Sequence, residues 1–186
     1  MFNFDKEDIG LSFGLLFGEP HTRGYGVEPV LYEIDIEHED SDGNKINLGE
    51  LYCLLISDGL ENSRDIADSH DADLIVAVTP VTDKDGYLLD ANSFRQEILY
   101  IDRFYIKPEY RNMGVGTIAF NLLEKFFKNQ VGVITVIPTP CDDEGKNKIE
   151  INTPLYTTRL LRWISFLESL GFDIEGEVGY KYTCYR

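Results

Sequence analysis

Between Phe104 and Leu123 the chain reads FYIKPEYRNMGVGTIAFNLL, and no other segment narrows the fold as much. The stretch from Phe94 to Ile106 is rich in Ile, Tyr and Phe, the composition of a strand, and Lys107-Pro108 stops it because proline cannot donate to a sheet ladder. Beyond a glycine-containing loop, Val115, Ile118, Ala119, Leu122, Leu123, Phe126 and Phe127 recur at helical spacing, which predicts an amphipathic helix to about Lys128. Strand, glycine loop and helix in that order make a cradle for an anion. Gly114 and Gly116 let the backbone turn tightly and come close to a ligand, while the unpaired N–H groups of the first helical turn point outward from the positive end of the dipole. Arg111 adds a fixed charge and Thr117 a hydroxyl, so the site suits a diphosphate. Gly-x-Gly at a helix start is common by itself; its company with an arginine, a strand and a helix gives it weight.

The charge balance sharpens this reading. Across 186 residues, 17 Lys and Arg face 33 Asp and Glu, for a formal charge of −16. Residues 28–97 hold 4 basic and 18 acidic side chains, whereas residues 98–128 hold 5 and 3, so the cradle lies in the one positive stretch of an acidic chain. Its cations are Arg103, Lys107, Arg111, Lys125 and Lys128. An acidic body repels phosphate backbones and anionic lipid, which argues against a nucleic-acid partner or a membrane surface. With 43% hydrophobic residues the chain is too apolar for a disordered acidic tail.

Cys53, Cys141 and Cys184 form no Cys-x-x-Cys or Cys/His cluster, so neither a disulfide framework nor a metal is expected, and a reducing cytoplasm suits them. The start, MFNFDKEDIG, has acids where a signal peptide has a basic stretch, and no apolar run approaches the roughly 20 residues of a membrane span. A soluble cytoplasmic protein is the expectation.

The rest of the chain divides into short elements with no repeat or linker. Ile9 to Phe17 is an apolar run, a first strand or short helix. Val30 to Glu39 alternates, Leu48 to Ile56 is strand-like, and Ser-Asp-Gly-Asn-Lys between them predicts an antiparallel hairpin. A capping-box-like start at Asp68 favours a helix near Ser69 to Thr79, with a strand over Leu74 to Val78 as the rival. Val131 to Ile137 reads as a buried strand and opens into a long polar loop. Thr153-Pro154 begins a helix that Gly171 ends, and a hairpin follows, with Tyr180 to Tyr185 as its second arm.

Ile106-Lys107-Pro108-Glu109-Tyr110-Arg111-Asn112-Met113-Gly114-Val115-Gly116 resembles the acetyl-CoA signature of the GNAT N-acetyltransferase superfamily: Arg or Gln, x, x, Gly, x, Gly or Ala after a strand ending in Val-x-Pro. The likeness covers residues 98–186, including the late helix ending Phe166-Leu167-Glu168-Ser169-Leu170-Gly171-Phe172. The Lys-Ser/Thr of a P-loop and a Gly-x-Gly-x-x-Gly are both missing, which sets aside nucleotide-binding alternatives. The resemblance implies an α/β (α+β) fold with a mixed, mostly antiparallel central sheet flanked by helices. It also implies a single domain over 1–186, with residues 58–93 as an acidic insertion.

The resemblance further implies acetyl-CoA as co-substrate. Main-chain amides of Met113, Gly114, Val115, Gly116 and Thr117 would hold its pyrophosphate, with Arg111 and Asn112 opening the loop and Lys107 nearby. Main-chain groups from Phe104 to Ile106 would pair with the pantetheine arm, and an amide there can face the thioester oxygen. Transfer to an amine would be direct, without a covalent enzyme intermediate.

One departure stands out: many members have a Tyr five residues before the Phe corresponding to Phe172, serving as acid to the leaving thiolate, and here that residue is Leu167. Tyr156, Tyr180 and Tyr182 are substitute candidates, and Asp102, ahead of Glu97, is the candidate base. Trp163 and Phe166 read as core, the three histidines as structural, and Arg23-Gly24-Tyr25-Gly26 as a decoy of the key loop. Two acidic segments, 58–93 and 138–153, would flank the acceptor groove, so the expected acceptor is a cationic small amine or peptide amine. The oligomeric state is open, a homodimer being among those allowed. The competing reading is a GNAT-fold protein that binds CoA without turnover, or an acidic interaction protein.

Overall fold

The computed structural model describes residues 8–16, 29–56, 72–90, 95–142, 145 and 147–183. A seven-stranded sheet draws on nearly the whole of that length. Its strands are β1 (Ile9–Leu16), β2 (Val30–Glu39), β3 (Lys45–Ile56), β4 (Ile98–Ile106), β5 (Val133–Val136), β6 (Asp173–Glu175) and β7 (Val178–Tyr182), in spatial order β1-β2-β3-β4-β5-β7-β6. Only β4 and β5 run parallel. The fold is thus mixed α/β with a mostly antiparallel sheet, as the sequence led us to expect.

Local chemistry sets the element boundaries. The β2–β3 hairpin closes where Asp40 Oδ1 accepts the amides of Asp42 and Asn44, at 2.9 and 2.8 Å, with Gly43 at φ 82°. Helix α1 (Ala72–Val78) takes the helical alternative for its segment, and the expected start at Ser69 lies outside the described residues. Helix α2 (Val115–Phe127) buries Val115, Ala119, Phe120, Leu123 and Phe127, the apolar stripe of the sequence. Helix α3 (Pro154–Ser169) starts with Thr153 Oγ1 accepting the Tyr156 amide at 3.1 Å, and Gly171 at φ 84° ends it.

Two cores lie on opposite faces of the sheet. On one, Leu99, Ile101, Ile134 and Val136 meet α2 together with Leu167 and Leu170 from the end of α3. On the other, Ile98, Tyr100 and Val133 meet Leu74, Ala77 and Val78 of α1. This is strand alternation at work, and β4 breaks it once. Tyr52 pairs with Arg103 and Cys53 with Ile101, so Asp102 is an extra residue, a β-bulge. The phase shifts by one: Phe104 and Ile106 now pack against the α2 side, a face their even numbers would otherwise deny them.

Some sequence expectations need revision. β4 begins at Ile98 rather than Phe94, β5 is shorter than 131–137, and the second arm of the last hairpin is Val178–Tyr182. His21, residues 23–26, residues 58–71, His70, Asp143, Glu144 and Cys184 lie outside the described residues.

Candidate active site

β4 and β5 pair only over Ile98–Ile101 and Val133–Val136. Beyond that, β4 continues for five more residues while the chain after β5 turns into loop, so the two diverge. The wedge between them opens into a cleft of about 500 Å³. Phe104 and Tyr105 form one wall, Ile137 and Thr139 the other, and α3 contributes Arg159, Arg162, Trp163 and Phe166.

The parting of the strands leaves main-chain groups available. Lys107 donates its amide to the Leu48 carbonyl of β3 at 2.9 Å. Because successive residues of a strand turn their peptide groups to opposite neighbours, Phe104 and Ile106 direct theirs away from β3, toward the space β5 has vacated. The Ile106 carbonyl accepts the Arg111 Nε–H at 2.8 Å, which fixes the arginine at the cleft's edge.

The anion cradle follows from the same few residues. Pro108–Tyr110 forms one turn of 3-10 helix; Asn112 at φ 62° and Gly114 at φ 85° then reverse the chain into α2. Gly114 stands immediately before the first helical residue in a left-handed conformation that side chains other than Gly, Asn and Asp rarely adopt. Gly116 is needed for space, not for its angle. A Cβ there would lie 3.4 Å from Phe166 Cζ and 3.7 Å from Phe104 Cζ, so a methyl fits and a larger group does not. The loop's N–H groups, the helix dipole and Arg111 therefore converge at one end of the cleft, as an anion requires.

Of the residues singled out from sequence, Asp102, Phe104, Ile106, Arg111, Asn112, Gly114, Gly116 and Thr117 line this cleft. Lys107, Met113, Val115 and Tyr156 do not. Lys107 Nζ donates to the Asn47 carbonyl at 2.7 Å, Met113 packs on the core and Val115 is buried. Tyr156 sits in the first turn of α3. Leu167 is buried beside Gly179 and is not among the residues lining the cleft.

Trp163 and Phe166, read from sequence as core, are half-buried: they pack on Phe104 with ring centroids 5.8 and 5.9 Å away while also lining the cleft. Arg159 carried no signal in the sequence; Tyr105 entered only within the strand Phe104 to Ile106, and the loop only as the acidic segment 138–153.

At the other end of the cleft, charges are mixed. Asp102 is exposed at the bulge, and Arg103 beside it meets Glu50 at 3.3 Å, lies 5.7 Å over the Tyr52 ring and donates to the Gly145 carbonyl. Tyr52 donates its hydroxyl to Glu33 at 2.7 Å, and that bond, then burial, pushes its phenol up to about 12. Burial likewise raises the Cys141 thiol, keeping it protonated at neutral pH. Among the described residues no group of His, Cys, Asp and Glu is placed to hold a metal.

The acetyltransferase (GNAT) family model matches residues 66–148, a span running from before α1 through β4, the cradle, α2 and β5. No curated protein gives a match. Among solved structures, that of a mutant of KacT matches with 12% identity, covering 82% of this chain and 71% of its own, at a TM-score of 0.44.

Proposed function

We propose, from a GNAT-type fold and a GNAT acetyltransferase match over the central segment, that this chain transfers an acetyl group from acetyl-CoA to a primary amine. Acyl transfer in general is what the family match supports. The observation that carries the finer reading is the cleft itself: an anion cradle at one end, and at its centre a strand edge whose peptide groups point into the opening.

Each residue then has a task. The amides from Met113 to Thr117, with Arg111, take the pyrophosphate; charge-assisted hydrogen bonds of this kind contribute about 1.5–3 kcal/mol each. The outward peptide groups of Phe104 and Ile106 pair with the pantetheine arm, and the Phe104 amide faces the thioester oxygen as charge develops on it. The amine attacks the carbonyl directly, the thiolate leaves, and Asp102 takes the amine's proton. Its carboxylate is exposed within the cleft, set there by the bulge.

The acceptor we propose is cationic. Asp73, Asp102 and Asp142 line the cleft among Arg103, Lys148, Arg159 and Arg162, so the support for a cationic acceptor is the long-range field of a chain with a formal charge of −16. Cys53 and Cys141 are free thiols, which fits a reducing cytoplasm. Among the described residues no helix is long and apolar enough to cross a membrane.

CoA release with spermidine, a basic peptide and an acidic peptide, each at low and high salt, tests this reading. Turnover of the cationic acceptors should fall as salt rises, since the Debye length shrinks from about 10 Å at 0.1 M to about 3 Å at 1 M. Preference for the acidic peptide, or indifference to salt, would sink the electrostatic claim. One observation favours a second reading, CoA binding without turnover: Leu167, at the position where members of the resembled family often carry a phenol, is a buried leucine with no proton to donate. Bound CoA with no release across the amine panel would select it.

A further inference from the structure

We infer that Tyr105 is a positioning residue that ties the anion cradle to the loop 139–149, so that filling the cradle fixes the wall beside which the acceptor must sit. The inference rests on the proposed acetyl-transfer reading only for the identity of the anion.

Two contacts converge on Tyr105, and a third joins its strand to the same glycine. The Arg111 guanidinium lies over its ring, 5.4 Å from the centroid, while Arg111 Nε is anchored on the Ile106 carbonyl at 2.8 Å. Gly145 packs against the same ring: a Cβ at that position would lie 2.6 Å from Tyr105 Cε2. Gly145 also has φ +69°, so the residue meets both a spatial and a conformational demand that a larger side chain would violate. Finally, the Gly145 carbonyl accepts from Arg103, two positions before Tyr105 on β4.

Hydrogen bonds link the described residues of the loop. Gly145 donates its amide to Asp142 at 3.1 Å, Asp142 to Asn147 at 2.9 Å, and Ile149 to Pro140 at 3.0 Å. A displacement at Gly145 is thereby passed to both arms of the loop, which meet α3 through Arg159 on the Cys141 carbonyl and α1 through Lys148 and Asp73 at 3.0 Å. That last pair is exposed and holds the loop only weakly. On the β4 side Tyr105 is the element shared with the cradle. A diphosphate that immobilises Arg111 also restricts the ring beneath it, and the ring restricts Gly145. Linkage makes the effect mutual: whatever the anion lends to the loop, the loop returns as anion affinity.

Hydrogen exchange of the full chain, with and without saturating CoA, reads this out without knowledge of the acceptor. In the parent protein and in Tyr105→Phe, which keeps the ring, CoA should slow exchange of the loop amides by roughly fivefold or more, at the low end of typical coupling between sites. In Tyr105→Thr, a strand-compatible residue with no ring, CoA should still protect the cradle amides 113–117 but not the loop. Unchanged exchange in β5 and α2 verifies that the variant is folded. Equal loop protection in Tyr105→Thr, or a parent loop indifferent to bound CoA, would overturn the inference while leaving acetyl transfer intact. Failure of CoA to bind at all would overturn both.

Discussion

Replacing Gly114 by Val separates the cradle from the fold. Gly114 has φ 85° and ψ 0°, a backbone conformation that costs an L-residue roughly 1–2 kcal/mol and a β-branched one more. A domain stable by about 5–15 kcal/mol survives that loss, so the chain should fold and the strain should be relieved by rotation of the loop. Rotation re-aims the amides of residues 113–117. Losing two charge-assisted bonds at about 1.5–3 kcal/mol each weakens an anion's affinity by roughly 10²–10⁴-fold. Thermal unfolding with added CoA is the assay. At 100 times Kd, CoA stabilises the parent by about 2.7 kcal/mol, a Tm rise of about 5–11 °C for a chain of this size. At the same CoA concentration, a variant weakened 100-fold gains only about 0.4 kcal/mol, or about 1 °C. Gly116→Ala is the matched control, since its methyl makes ordinary contact with Phe166, and it should keep most of the shift. A Gly114→Val protein whose Tm rises with CoA as the parent's does would refute the assignment of the cradle.

Asp102→Asn should lower kcat by roughly 10²–10⁴-fold while leaving CoA affinity as it was; an unchanged kcat removes Asp102 as the base. Leu167→Tyr should cost about 1–3 kcal/mol by overpacking, seen as a lower Tm, because position 167 is buried in the core beside Gly179; an unchanged Tm would count against that packing. Tyr52 supplies a pH test: its phenol is pushed up to about 12 in the folded chain and ionises near 10 when unfolded, so its contribution is complete below about pH 10 and is lost as the pH climbs toward 12. Tyr52→Phe should therefore flatten the alkaline limb of the stability curve in that window, and an identical limb in the two proteins would count against the Glu33 hydrogen bond as its cause.

Comparison with the sequence shows where legibility stopped. Asp102 is instructive. Apolar residues at 99 and 101 give way to apolar residues at 104 and 106, so the change of phase that marks the bulge is present in the chain, yet it reads as a bulge only when Tyr52 and Cys53 are known to pair across it. Trp163 and Phe166 show a different limit. Their helical spacing marks a half-buried face but does not say that this face borders a gap between two strands.

What the amino-acid sequence determined was local: the stripe of α2, the turn at Asp40, the caps at Thr153 and Gly171, and the arginine-glycine loop that readies a helix terminus for an anion. Each is decided by residues within a few positions of one another, through dihedral preference, short-range hydrogen bonds and periodic burial. The parting of β4 from β5, the aim of the Phe104 and Ile106 peptide groups, the bulge that exposes Asp102 and the seating of Gly145 on Tyr105 belong to the tertiary structure. Segments from 35 residues apart (Ile98 and Val133) to 57 apart (Gly49 and Ile106) must meet before any of these exists, because pairing register and packing between strands depend on all the neighbours of a strand at once.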